Sequence, residues 1–271
     1  MTKSMTYAIT GVASGIGAEL AKILRAKGHR VIGFDLPGAT AQVDRFIPID
    51  LYDPAHICAA AAQVDEQIDG LCNNAGIPPR DGAEQHILQI NFLGQRMFTN
   101  LMLDYLRPQS AIVNMASRAG HGWPQNVDQI KRFTALTDRD ALGAFITAEG
   151  INATRCYNLS KEAMLLWTLA ITEPLLARDL RAVSLSPGGI STGIFDDFKR
   201  AFGDVMAQNI ARAGRPGRAE EVAQVAAFAL SPQAHWLKGV DIPIDGGIGA
   251  FGLSDRLGLD SMISMDRAIP K

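Results

Sequence analysis

Long apolar runs are missing from this chain: no stretch of about 18 uncharged apolar residues occurs, which excludes a membrane-spanning helix. Met1 to Thr10 has no apolar segment running to a cleavage-like site, so no secretory leader is expected. Cysteine is scarce. Cys58, Cys72 and Cys156 are odd in number and lack framework spacing, which excludes a disulfide-built fold and makes a reducing cytoplasm the expected compartment. Cys156 adjoins a tyrosine, but successive helix residues face apart, so a packed thiol is expected there. The 5 histidines and 3 cysteines are dispersed without paired ligand spacing, so no metal site is expected. Neither charge sign dominates: the net charge is −2 and lysine and arginine form no run. The electrostatic footprint of a nucleic-acid binder is therefore absent, and small molecules are the expected partners.

What is present is ordinary for a globular chain, with 47% apolar and 20% charged residues over 271 positions and no evident linker. One domain is expected over 1–271. Apolar runs ending at Thr10, Asp35, Asp50, Asn73, Met115, Leu185 and Ile244 read as strands. Helical patterns over Ala18–Lys27, Pro54–Val64, Glu84–Leu106, Asn152–Arg178 and Glu220–Leu230 separate most of them. Pro48 argues against a central place for the third strand. Alternating strands and helices imply crossovers and a doubly wound α/β fold of Rossmann type, a parallel sheet covered on both faces. Ligands of such sheets sit beyond the carboxyl ends of the strands, where Gly11, Asp35, Asp50, Asn74, Ser117 and Gly188 all fall.

Three groups carry chemistry. Thr10 to Gly17, with Gly11, Gly15 and Gly17, joins the first strand to its helix. Such glycines let backbone N–H groups approach a pyrophosphate, although the spacing alone fits a tight structural turn equally well. Asp35 ends the next strand, where its carboxylate can accept from ribose hydroxyls and repel a 2′-phosphate. No lysine or arginine occupies Val12, Ala13, Leu36 or Pro37 to offset that repulsion, so NAD is the expected cofactor. Asp35 also suits a cap on the turn before Pro37-Gly38. Tyr157 and Lys161 stand four apart on one helix, where a fixed ammonium is expected to lower the phenol's pKa and fit it for proton exchange with an alcohol. Alone, the pair also reads as an amphipathic helix surface.

In order and type, these motifs resemble the short-chain dehydrogenase/reductase family over Thr10 to Gly247. The resemblance implies that Gly11, Ser14, Gly15, Ile16 and Gly17 hold the cofactor. It implies that Asp50 and Leu51 flank the adenine, and that Asn74, Ala75 and Gly76 support the middle of the dinucleotide. Pro187, Gly188, Ile190 and Thr192 match the segment at the nicotinamide carboxamide, and Asn91, Ser117, Tyr157 and Lys161 match the catalytic tetrad. By side-chain chemistry, Ser117 can donate to the substrate oxygen while Tyr157 takes the alcohol proton. Lys161 would hold the ribose and tune Tyr157. For Asn91 a water link to Lys161 is implied by the family, and pinning a helix bend fits the spacing equally well.

Two departures bear on substrate. Ala116 stands where many relatives carry serine, and an enlarged segment, residues 118–152 with short helices, precedes the helix of Tyr157. That insertion is similar to the subgroup of 3α-hydroxysteroid dehydrogenase/carbonyl reductase and coniferyl-alcohol dehydrogenase. The expected substrate is a bulky apolar secondary alcohol, cyclic or steroid-like, and its ketone; an aryl or allylic primary alcohol is the alternative. Trp123 with Phe195, Phe198 and Phe202 either walls the site under a lid over 190–214 or packs the insertion. A homo-oligomer is expected, a dimer before a tetramer, with the tail 250–271 open to a role in it. Gly189 to Gly193 formally matches a hydrolase elbow, but Pro187-Gly188 detaches it from its strand and only His235 follows. A non-catalytic NAD sensor is the remaining alternative, and it has no chemical need for Ser117, Tyr157 and Lys161 together.

Overall fold

The computed structural model of the protein describes residues 4–262. In chain order the elements are β1 (Thr6–Thr10), α1 (Gly15–Ala26), β2 (Arg30–Asp35), β3 (Arg45–Pro48), α2 (Pro54–Ala61), β4 (Ile68–Asn73), α3 (Glu84–Leu88) and α4 (Gly94–Met102). There follow β5 (Leu106–Met115), α5 (Val127–Thr134), α6 (Leu142–Glu149), α7 (Ala153–Leu176), β6 (Arg181–Pro187), β7 (Ile190–Ser191) and α8 (Phe195–Ala213). β8 (Gly217–Arg218), α9 (Ala219–Leu230), β9 (Asp241–Ile244) and α10 (Ile248–Leu257) come last among the described helices and strands, before a short turn of helix over Leu259–Met262.

Seven parallel strands form one sheet in the order β3-β2-β1-β4-β5-β6-β9, and β7 pairs with β8 separately. The order reverses between β1 and β4, which opens a crevice at their carboxyl ends. Both faces are covered, so the inner strands are apolar throughout rather than alternating. α1 and α9 pack one face through Leu20, Leu24, Val222 and Leu230, while Ile57, Phe98, Met102 and Leu175 fill the other. Ile130, Phe133, Leu142 and Phe145, from the two helices of the insertion, pack against Phe92 and Leu159. Among the described residues no helix is long and apolar enough to cross a membrane.

Several boundaries differ from expectation for local reasons. The helix expected over Glu84–Leu106 stops at Met102, and β5 begins at Leu106 rather than Ala111. Leu106 makes an early pairing with Ile68 before the register shifts and resumes at Gly70 with Ala111. Pro48 lies on an edge strand, as its missing N–H requires. α8 is kinked at Gly203, whose φ of 48° and ψ of −129° leave the helical region. The tail includes α10, and its residues 263–271 lie outside the described residues.

Candidate active site

At the carboxyl edge of the sheet the chain leaves a cavity of about 830 Å³. The glycine loop forms its floor. A Cβ on Gly11, whose φ is 69°, would stand 2.7 Å from the Ala75 Cα, and one on Gly17 would overlap the Gly11 carbonyl oxygen. The turn is thus folded tightly onto the segment after β4, and the N-terminus of α1, with its unpaired N–H groups and positive dipole end, faces the cavity at Ser14, Gly15 and Ile16. Asp35 accepts from Ala13 N at 2.8 Å and from Leu36 N at 2.8 Å, so it ties the loop to β2 and caps the following turn at once. Asp50 accepts from Tyr52 N at 2.9 Å, and Leu51 packs against Gly94, where any Cβ would strike its carbonyl.

A polar weld not foreseen in the sequence holds these loops. Thr10 Oγ1 accepts from Asn74 N at 3.0 Å and Ala75 N at 3.1 Å, and donates to Gln95 Oε1 at 3.2 Å. Asn74 Nδ2 donates to the Thr10 and Gly11 carbonyls at 3.1 and 3.0 Å, and Gln95 Nε2 to the Ala75 carbonyl at 2.6 Å. Thr10 and Gln95 are fully buried, so every one of these groups needs its partner. A threonine ending a strand and a glutamine on an apolar helix face were the available signals.

On the opposite side, α7 carries Tyr157 and Lys161 on one face. Asn152 starts this helix by accepting from Arg155 N at 2.9 Å. Ser117, extended at the end of β5, accepts from Ala119 N at 3.2 Å and lines the same cavity as the Tyr157 phenol, whose pKa it acts to lower. Lys161 Nζ donates to the Met115 carbonyl at 2.9 Å and lies 5.8 Å from the centre of the Tyr157 ring. The expected lowering of the phenol's pKa by Lys161 is not found here. Burial pushes Tyr157 up to about 12 against the smaller lowering by Ser117, and burial alone brings Lys161 down to about 8. Desolvation disfavours both charged forms, and the ammonium is turned to a backbone carbonyl.

Asn91 does not reach the cavity. It sits in a π-helical turn over Gln89–Leu93, between α3 and α4, and is fully buried. Its amide accepts from Ile77 N at 2.8 Å and donates to Ile77 O at 3.0 Å, so it clamps a neighbouring strand-end loop rather than its own helix. A Cβ on Gly76 would lie 3.1 Å from Asn91 Oδ1 and 3.6 Å from Lys161 Nζ, which places amide and ammonium on one piece of backbone.

The remaining expected residues divide plainly. Gly11, Ser14, Gly15, Ile16, Asp35, Asp50, Leu51, Asn74, Ala75 and Gly76 line the cavity together with Ser117, Tyr157, Lys161, Pro187, Gly188, Ile190 and Thr192. Gly17 lies beneath Gly11. Of the four aromatics, Phe198 and Phe202 face the cavity, with ring centroids 5.3 and 6.2 Å from Tyr157. Trp123, half-buried against the core of the insertion, and Phe195, under Lys199, do not line the cavity, so neither is a wall. Arg118, next to Ser117, also lines the cavity and pairs with Asp245 at 3.1 Å, a contact the sequence did not suggest.

The donor set fits a nicotinamide dinucleotide: a close-packed glycine turn at a helix N-terminus, an acidic residue at the second strand end, and a phenol beside an ammonium across the crevice. A family model described as short chain dehydrogenase matches residues 6–127, and one described as enoyl-(acyl carrier protein) reductase matches residues 141–249. The chain is 34% identical over 244 residues to a coniferyl-alcohol dehydrogenase of Pseudomonas sp. (strain HR199), a match covering 89% of this chain and 95% of that one. It is 26% identical over 251 residues to a 3-alpha-hydroxysteroid dehydrogenase/carbonyl reductase of Comamonas testosteroni, covering 89% and 95%. The crystal structure of a 3-alpha-hydroxysteroid dehydrogenase from Pseudomonas sp. B-0831 complexed with NADH superposes with a TM-score of 0.80 at 28% identity, covering 91% of this chain and 98% of that one.

Proposed function

The chain belongs to the short-chain dehydrogenase/reductase family and is an oxidoreductase, and from that premise we propose an NAD-linked enzyme that interconverts a bulky, largely apolar alcohol and its carbonyl partner. The observation that carries this reading is the convergence of Ser117, the Tyr157 phenol and a buried Lys161, 5.8 Å from the Tyr157 ring centre, on one large cavity.

Gly11, Ser14, Gly15 and Ile16 would hold the pyrophosphate, Asp35 the adenosine ribose, Asp50 and Leu51 the adenine, and Asn74, Ala75 and Gly76 the central part. Pro187, Gly188, Ile190 and Thr192 would hold the carboxamide, and Lys161 the second ribose. The dinucleotide supplies, when bound, the acceptor for the carbinol hydride or its donor in reverse. Ser117 orients the substrate oxygen, and Tyr157 takes the alcohol proton or returns it to the carbonyl. A phenol held up to about 12 is protonated at neutral pH, which suits it to donate in the reductive direction. In the oxidative direction Lys161 must turn from the Met115 carbonyl toward the site to favour the phenolate. Asn91 acts by clamping Ile77 and so fixing the loop behind Lys161.

Asp35 supports NAD over NADP, since its carboxylate stands where a 2′-phosphate would be repelled. Within the substrate class, an aryl or allylic primary alcohol is favoured over the cyclic or steroid-like secondary alcohol. Phe198 and Phe202 lie within 18° of parallel, and both meet Tyr157 edge to face, a setting matched to a flat ring. The 34% identity to a coniferyl-alcohol dehydrogenase supports the same choice. The steroid reading keeps support from the hydroxysteroid dehydrogenases among the relatives. The test follows reduced nicotinamide by absorbance over aryl, allylic, cyclic and steroidal alcohols, with Tyr157→Phe alongside. Turnover in that variant is expected to fall by about 10²- to 10⁴-fold. A folded Tyr157→Phe protein with near wild-type turnover would sink the assignment.

A further inference from the structure

Two charged pairs line the cavity apart from the proton-transfer groups: Arg215 with Glu221, and Arg118 with Asp245 next to Ser117. Arg118 and Asp245 line it beside Gly246 and Ile248. Arg118 Nε lies 3.1 Å from Asp245 Oδ2, and its Nη1 lies 2.6 Å from His121 Nδ1. A guanidinium has only donors, so His121 Nδ1 accepts here and Nε2 carries the imidazole hydrogen. That hydrogen points at Asp241 Oδ2, 3.1 Å away, and Asp241 is fixed in turn by Ser184 and Ser186, each donating to Oδ1 at 2.8 Å. The arginine is therefore held from two sides by a chain of bonds reaching into β6 and β9.

The fixing is local as well. Asp245 accepts from Gly247 N at 3.0 Å and Gly249 N at 2.9 Å, so its lone pairs are engaged. A Cβ on Gly249 would stand 2.7 Å from Arg118 Nη1 and 3.0 Å from Asp245 Oδ2, so the start of α10 is shaped to leave room for this pair. Among the described residues Nη2 has no hydrogen-bond partner, while the side chain keeps 30% of its surface exposed. A guanidinium anchored through two nitrogens keeps the third for a ligand of the cavity that Arg118 lines, at little further entropic cost.

We propose that Arg118 is a specificity residue that reads a second oxygen on the substrate, remote from the carbinol, so that the preferred alcohols carry a hydrogen-bond-accepting substituent such as a ring hydroxyl. This rests on the aryl-alcohol reading above. The carbinol lies at Ser117 and Tyr157, the ring against Phe198 and Phe202, and the substituent at the Arg118–Asp245 wall. An apolar substituent there leaves the donors of Nη2 covered and unpaired, which penalises the wrong alcohol more than it rewards the right one.

The test compares kcat/KM for 4-hydroxycinnamyl and 4-methylcinnamyl alcohol, a pair matched in size, in wild type and Arg118→Met, with NADH binding by fluorescence as the check on folding. Wild type is expected to prefer the hydroxyl about tenfold or more, and Arg118→Met to lose most of that ratio, chiefly through KM. Equal losses on both alcohols, or a wild type indifferent between them, would overturn the proposal. Should Arg118→Met fail to bind NADH, Arg118→Lys is read instead: it loses the fork, and an unchanged ratio counts against Arg118. If wild type turns over cyclic secondary alcohols and neither cinnamyl alcohol, it is the aryl reading that falls. The same comparison then moves to cyclohexanols bearing a 4-methyl or 4-hydroxyl group, where the collapse of the ratio is again required.

Discussion

Gly17→Ala tests whether the glycine loop binds a dinucleotide because it is folded tightly or merely because it is flexible. The φ of Gly17 is not in the left-handed region, so alanine is free of backbone strain there. Space is the obstacle: the new methyl would overlap the Gly11 carbonyl oxygen and stand 2.6 Å from Asn74 Nδ2 and 2.9 Å from the Gly11 carbonyl carbon. Relief to an ordinary contact of roughly 3.5 Å displaces the turn by about an ångström. That motion breaks the 3.0 Å bond from Asn74 to Gly11 and shifts the N–H groups that face the cavity. Overpacking of this kind costs about 1–3 kcal/mol of stability. A charge-assisted hydrogen bond is worth about 1.5–3 kcal/mol, so losing one to phosphate weakens NADH binding roughly 10- to 150-fold. Gly28→Ala is the control: with φ 81° and nothing within 4 Å of its Cβ, it costs conformational energy alone, about 1–2 kcal/mol, far from the cavity. Urea midpoints and NADH fluorescence titrations on both variants decide. If Gly17→Ala binds NADH within about twofold of wild type while its stability falls no more than that of Gly28→Ala, the close-packed cradle is not what binds the cofactor.

Further expectations follow from the charged groups and the aromatic wall. Lys161, brought down to about 8 from 10.5, is neutral in the folded chain and charged in the unfolded one between those values, so its contribution to stability rises with pH across that window. Tyr157, Cys72 and Cys156, all pushed up to about 12, act with the opposite sign above pH 9 to 10; the rise therefore shows in the difference between wild type and Lys161→Met urea midpoints, and a flat difference would contradict it. Asp35→Ala removes both the bond from Ala13 N and the charge facing a 2′-phosphate, so the NADP to NAD ratio of kcat/KM should climb about tenfold or more; a ratio that stays put would count against Asp35 as the discriminator. Phe198→Ala loses the ring against Tyr157, worth about 0.5–1.5 kcal/mol, and should raise KM for aryl alcohols while sparing small aliphatic ones; parallel changes for both would show packing alone.

Much of the site was legible because its signals are local. The four-residue spacing of Tyr157 and Lys161, the glycines after β1 and the acidic residue closing β2 each sit within one turn or one strand end. Long-range pairings were not. Nothing in sequence links Thr10 to Gln95, Arg118 to Asp245, or Asn91 to Ile77, because each contact depends on how distant strands pack. Spacing also gives proximity without burial, which is why the direction of the Tyr157 shift was misjudged: Lys161 is near, but both groups are dry. Trp123 and Phe195 show the same limit, since an aromatic at the right distance along the chain can face either of two sides.

Both outer strands of the sheet contain a proline. Ile49 N donates to the Asp35 carbonyl, which turns the nitrogen of Pro48 away from β2; the Val240 and Ile244 carbonyls accept from Ser184 and Gly188, which turns that of Pro243 away from β6. Each rim thus lacks an amide hydrogen where a further ribbon would have to dock. A ladder joining the sheets of two copies would carry a gap at either rim, which favours pairing of subunits through side chains and flanking helices and works against fibrous stacking.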